Sequence, residues 1–298
     1  MAKLEGVMPA LFTNYDGAGE VTDDGLEKQL SFYIEAGCRG FFVGGSTGEG
    51  LLQTVEERCR FIEAVVGAVS GQVPVIAHVG ALATRDACEI ARFAAKAGAD
   101  FVGSVLPVYY PVGIEGMAAY YRAIGEAAEL PMLVYYLAYA GTAMTAEQFA
   151  ENLATLPHVC ALKYTSPELE TFRKIVELTD DDMTMIMGCD QLLLPALTLG
   201  ADGGIGTTYN FMPEIIVGIY ESYHAGEMQK AEELMARAFR TIQAIKKYPP
   251  LSACREVTRM RGFDTGRCRG PIPTLTDEQA KALRKDMEEI GFFTDPIR

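Results

Sequence analysis

Gly98-Ala99-Asp100-Phe101-Val102-Gly103-Ser104-Val105 holds the end of one helix and the start of one strand in a single short stretch. A glycine closing an amphipathic segment suits the left-handed turn that ends helices. The run Phe101–Val105 is uncharged and does not alternate, as expected of a parallel strand covered on both faces. The same junction recurs at Gly37-Cys38-Arg39-Gly40 and Gly200-Ala201-Asp202-Gly203. Outward from these points, further strands are read at Val7–Phe12, Gly40–Val43, Val73–Ala77, Met132–Tyr135, Val159–Lys163, Met183–Met187 and Gly203–Gly206.

Helices fill the intervals, and several announce their starts. Thr54 with Glu57, Thr145 with Gln148 and Thr276 with Gln279 have the spacing of capping boxes, in which two otherwise unpaired amides are satisfied reciprocally. After Thr54, the residues Phe61, Ile62, Val65, Val66 and Val69 form one apolar stripe. Ser166-Pro167 predicts a cap followed by proline at the first helical position. Strand–helix alternation repeated this often predicts an α/β chain, a (β/α)8 TIM barrel with additional C-terminal helices. A doubly wound sheet has the same pattern and stays open at this point. Residues 1–225 are read as the catalytic barrel region, and residues 226–298 as a purely helical extension packed on it.

Composition narrows the function. With 26 Lys and Arg against 40 Asp and Glu, the net charge is −14, which argues against binding a phosphate backbone. At 49% hydrophobic and 22% charged, the chain has a globular composition. Its longest uncharged run, Leu130–Ala146, contains Pro131 and Gly141 and falls short of the roughly 20 apolar residues of a membrane span. No basic, apolar leader opens the chain, so no secretory signal is expected. Seven scattered cysteines, with no C-x-x-C, read as reduced thiols of a cytoplasmic protein.

Lys163 is the most informative residue. It ends the apolar run Val159-Cys160-Ala161-Leu162, where an ammonium loses its hydration. Desolvation favours the neutral amine, the form that attacks a ketone. The alternative is a lysine that snorkels to water or pairs with a carboxylate. Gly44-Gly45-Ser46-Thr47-Gly48-Glu49 offers consecutive amides and two hydroxyls that can hold a carboxylate or phosphate, or it is a plain glycine-rich turn. It lacks the Lys-Ser/Thr ending of a Walker loop. Tyr135 is either a proton shuttle beside an imine or a core tyrosine. Asp190-Gln191 and Thr207-Thr208 either bind sugar hydroxyls or cap helices. His78, His158 and His224 are far apart and form no metal motif, and no G-x-S-x-G elbow is present.

Together, Gly44–Glu49, Tyr135, Leu162-Lys163-Tyr164-Thr165-Ser166, Gly188-Cys189-Asp190 and Gly200–Asn210 resemble the pyruvate-dependent class I aldolases that include N-acetylneuraminate lyase and dihydrodipicolinate synthase. The resemblance runs from Val7 to about Asn210. It implies a barrel, usually in a homotetramer, acting on pyruvate and an aldehyde or on a 2-keto sugar acid, without metal or organic cofactor. It implies Lys163 as the Schiff-base lysine, Tyr135 as the proton-transfer residue and Tyr109 as a residue offered to a neighbouring subunit's site. Gly45, Ser46, Thr47, Gly188, Asp190, Gln191, Ile205 and Thr207 are implied as substrate-binding positions, with Ser46 and Thr47 on the pyruvyl carboxylate.

Within that family, the wording of the glycine turn and of Gly203–Asn210 is closer to N-acetylneuraminate lyases. Synthases carry an arginine five residues beyond the site tyrosine, where this chain has Ala140. The chain departs from the lyases as well. It has Tyr135-Tyr136-Leu137-Ala138 for Tyr-Asn-x-Pro, Gln191 for a glutamate and Thr207 for a serine. The leading expectation is an N-acetylneuraminate lyase-like aldolase, with dihydrodipicolinate synthase or another 2-keto-3-deoxy acid aldolase as runner-up. From a different class come a phosphosugar-binding barrel using Gly200–Gly206 as its cradle, and a non-catalytic ligand-binding barrel.

Overall fold

The computed structural model describes residues 4–137, 144–179 and 183–294. Its strands are β1 (Gly6–Pro9), β2 (Phe41–Val43), β3 (Val75–His78) and β4 (Phe101–Val105), then β5 (Met132–Leu137), β6 (Val159–Thr165), β7 (Thr184–Met187) and β8 (Gly203–Gly206). Helices α1 (Leu26–Glu35), α2 (Val55–Val69), α3 (Thr84–Ala97) and α4 (Gly113–Ala128) separate the first five strands. Next come α5 (Ala146–Asn152), α6 (Leu169–Leu178), α7 (Leu193–Thr198) and α8 (Pro213–His224). The chain then continues through α9 (Met228–Ile245), α10 (Pro250–Met260) and α11 (Asp277–Glu289).

All eight strands pair in parallel, and β1 pairs with β8 through Val7 opposite Gly204. The ring closes at β1 and β2, where Ala10 bridges Phe42 and the Leu11 amide donates to the Phe42 carbonyl at 2.9 Å. Closure decides between the two topologies compatible with the sequence: this is a (β/α)8 barrel, not a doubly wound sheet. The expected junctions hold, with Gly37, Gly98 and Gly200 all at positive φ. All three capping boxes form, with the Thr54 hydroxyl accepting from the Glu57 amide at 3.2 Å. Each such cap contributes about 1 kcal/mol.

Strand alternation sorts side chains into two cores. Met8, Phe42, Ile76, Leu133, Tyr135, Leu137, Ala161, Ile186 and Ile205 fill the barrel interior. Val134, Tyr136, Leu162 and Tyr164 lie in the layer between barrel and helices. The departure at Tyr136 therefore lies off the inner wall, stacked on Tyr164 at 5.1 Å, while Leu137 points inward. Ala138 and Ala140, on which part of the specificity argument turned, lie outside the described residues.

Three readings need correction. The helix expected to open at Pro167 opens at Leu169, and Ser166 is buried with its hydroxyl accepting the Glu168 amide at 3.3 Å. Serine satisfies a turn there instead of a helix cap. The tail is not purely helical, because an irregular segment between α10 and α11 carries Thr265 and Arg269 to the barrel mouth. Finally, in the Gly200–Gly206 stretch offered as a phosphate cradle, Gly203–Gly206 is the buried strand β8, paired in ladder with β1 and β7, so its amides serve the sheet.

Candidate active site

Lys163 lies on β6 in register with Tyr135 on β5 and Ile186 on β7. It is 5% exposed, so it does not snorkel, and among the described residues it joins no ion pair. Its Nζ lies 3.8 Å from the Tyr135 ring centroid and 4.8 Å from that of Phe42. The lysine is held by aromatic faces inside the barrel. Among the described residues it is neither snorkelled to water nor paired with a carboxylate.

Gly188, just after β7, makes room for it. A Cβ there would fall 1.9 Å from Thr165 Oγ1 and 3.2 Å from Lys163 Cε, so only glycine fits without displacing both. Thr165 Oγ1 is buried beside the lysine with no hydrogen-bond partner among the described residues. Cys189 is half-buried, and burial followed by the nearby Asp190 pushes its thiol up to about 11, so it stays protonated near neutral pH.

The turn after β2 is anchored from behind. Thr13 Oγ1 and Gln53 Nε2 donate to the Gly48 carbonyl at 2.8 and 2.7 Å. Glu49 stands at φ 57°, with Oε1 accepting from Arg255 Nε at 3.0 Å and Nη2 at 2.5 Å. Its Oε2 accepts the Arg269 amide at 2.7 Å. Arg255 also donates to the Thr265 and Thr13 carbonyls at 2.5 and 3.1 Å. With this backing, the turn keeps Ser46 exposed and Thr47 buried. Thr47 shares a 2.6 Å hydroxyl contact with Thr207, joining the turns after β2 and β8. Gly45 packs so close to Phe42 that a Cβ would lie 2.5 Å from its ring.

Asp190 Oδ2 accepts from the Thr208 amide at 2.8 Å and the Thr208 hydroxyl at 2.7 Å. Burial raises its carboxyl above the usual range, opposed by those two bonds and by Lys163. One oxygen of Asp190 thus ties down the loop after β8. Gln191 and Thr207 are half-buried, and Ile205 is fully buried in the inner core. Tyr109 is 86% exposed at φ 85°, edge-on to Tyr110 at 5.0 Å, and no described ring contact or hydrogen bond joins it to Lys163 or Tyr135. Within one chain, then, Lys163, Tyr135 and Gly188 converge, the turns bearing Thr47 and Thr207 join, and Tyr109 stands apart. No group of three or more His, Cys, Asp or Glu converges as a metal site among the described residues.

Sequence reasoning missed Arg255, Arg269 and the pair Arg58–His78, and it did not foresee that Thr208 binds Asp190. Arg255 meets Glu49 across 206 positions, and no local spacing signals such a contact.

Residues 3–290 match the profile of the dihydrodipicolinate synthetase family. The chain is 31% identical over 283 residues to N-acetylneuraminate lyase of Rhizobium meliloti, covering 95% of this chain and 94% of that one. It is also 31% identical over 295 residues to 4-hydroxy-tetrahydrodipicolinate synthase of Methanopyrus kandleri, covering 98% of each. The solved structure of Proteus mirabilis N-acetylneuraminate lyase superposes with a TM-score of 0.92 at 25% identity, over 98% of this chain and all of that one.

Proposed function

Since this chain belongs to the dihydrodipicolinate synthetase family, we propose that Lys163 is the Schiff-base lysine of its pyruvate aldolase reaction, and that the substrate is a polyhydroxylated 2-keto acid. The protein is a carbon–carbon lyase of that family, close to its N-acetylneuraminate lyases. The observation that carries the residue assignment is the Lys163 amine, buried on the inner wall, laid on the Tyr135 ring and unpaired with any described carboxylate.

The neutral amine adds to the C2 ketone, and loss of water gives an iminium. Tyr135 relays the proton leaving the C4 hydroxyl. The C3–C4 bond then breaks, its electrons flowing into the iminium, and an aldehyde departs. Protonation of the remaining enamine at C3 and hydrolysis release pyruvate and restore the amine. The reverse sequence is aldol addition. Gly45, Ser46 and Thr47 receive the carboxylate, while Gly188, Asp190, Gln191, Ile205 and Thr207 line the path of the sugar tail. Asp190 does so through the oxygen that Thr208 does not hold.

Tyr109, exposed and held at positive φ, suits a residue that completes the site of a neighbouring copy in a homotetramer. Residues 1–225 supply the chemistry, and 226–298 support it through Arg255 and Arg269. Seven free thiols suit a reducing compartment, which we take to be the cytoplasm. The relative named 4-hydroxy-tetrahydrodipicolinate synthase keeps condensation with aspartate semialdehyde as the second reading.

Borohydride added with pyruvate tests the assignment. It should inactivate the enzyme and leave a mass tag on the Lys163 peptide, and Lys163→Arg should abolish both, since a guanidinium keeps its proton. A tag on another lysine, or none, overturns the assignment.

A further inference from the structure

His78, at the end of β3, belongs to none of the roles above, yet it touches both halves of the site. It is 2% exposed. The Val105 amide donates to its Nε2 at 3.1 Å, and an amide can only donate, so Nε2 carries no proton. The ring proton is then on Nδ1, facing the Gly44 carbonyl at 3.1 Å. Gly44 opens the turn that bears Ser46 and Thr47, and Val105 lies in register opposite Tyr135. The ring itself packs edge-on to Tyr135 at 6.3 Å and to Phe42 at 5.7 Å, while those two meet at 5.9 Å. Lys163 Nζ rests on two faces of this three-ring cluster.

Arg58, reaching from α2, keeps the imidazole neutral. It is 3% exposed, and among the described residues no carboxylate pairs with it. Among the described residues its acceptors are carbonyls: Nη1 donates to Gly80 at 2.8 Å and Nη2 to His78 at 2.6 Å. Nη2 also lies 3.2 Å from Nδ1. An imidazolium there would face a buried guanidinium, lose the Val105 bond and lie near Lys163. Burial, then Arg58, then Lys163 hold the His78 pKa well below the ordinary range against the Gly44 bond.

We propose that His78, locked as its Nδ1–H tautomer between the turn after β2 and the end of β4, is a positioning residue that aligns the Tyr135 phenol and the carboxylate-binding turn around Lys163. The proposal rests on the function assigned above to Lys163 and Tyr135. Borohydride trapping in the wild type tests that function separately.

Two variants split the ring's duties. His78→Asn keeps an N–H where Nδ1 stood and loses the acceptor at Nε2. His78→Gln restores an acceptor near Nε2 and loses the donor at Nδ1. With Asn, the KM of the keto acid should stay near wild type, while kcat falls about 10²-fold from a misplaced phenol. With Gln, KM should rise about tenfold, as one anchoring hydrogen bond of the turn is lost, with kcat less affected. Wild-type kinetics in both, or equal losses that simply follow Tm, would overturn the proposal. The wild-type ring provides a check that needs no His78 variant. With His158 and His224 replaced, ¹⁵N ring shifts of His78 should report the Nδ1–H tautomer without titration between about pH 5 and 8. An Nε2–H signal or an imidazolium in that window overturns the proposal whatever the kinetics.

Discussion

Arg255→Met removes one member of a pair in which Glu49 is 0% and Arg255 3% exposed at the side chain. The Glu49 carboxylate keeps the Arg269 amide but loses two guanidinium donors, and two carbonyls lose theirs. Breaking a buried pair by removing one partner costs about 3–5 kcal/mol, because the remaining charge is left without compensation. At an unfolding entropy of about 2.1 cal/mol/K per residue over 298 residues, that loss lowers Tm by roughly 5–8 °C. Circular dichroism melts of Arg255→Met, Glu49→Leu and the double variant form the cycle that isolates the pair. The double variant should lose less than Arg255→Met alone, since an apolar pair leaves no stranded charge. A shift under about 1 °C in Arg255→Met, or strictly additive losses, would refute the reasoning.

Tyr135→Phe keeps the ring under Lys163 and removes the phenol, so the protein should fold normally while turnover falls roughly 10²–10⁴-fold. Near-normal turnover would return Tyr135 to the core. Gly188→Ala places a methyl 1.9 Å from Thr165 Oγ1 and 3.2 Å from Lys163 Cε, so borohydride trapping should slow by about 10²-fold from a shifted amine. Trapping at the wild-type rate would show that the strand end yields instead. Cleavage of N-acetylneuraminate or a related sugar acid should exceed condensation of pyruvate with aspartate semialdehyde in kcat/KM, and Gln191→Glu should raise sialic acid cleavage. Efficient condensation with no sugar-acid cleavage in a pyruvate-coupled assay would hand the assignment to the synthase reading.

Much of the architecture was written in local patterns. Each helix start at Thr54, Thr145 and Thr276 and each glycine junction depends on contacts within a few residues, so the sequence alone determined them. It also marked which residues could bear chemistry, because a lysine in an apolar strand and a glycine turn with two hydroxyls are legible by type. Ser166-Pro167 misled for the same reason: its local signal fits a cap as well as a turn, and packing chose the turn. Barrel closure required the Ala10–Phe42 bridge, and no stretch of sequence distinguishes a closed ring from an open sheet. Nor does any spacing foretell that Arg255 holds Glu49, that Thr208 occupies half of Asp190, or that His78 spans Gly44 and Val105. Those bonds form between positions that only the folded barrel brings together. Their donors and acceptors are ordinary residues until burial removes water as an alternative partner.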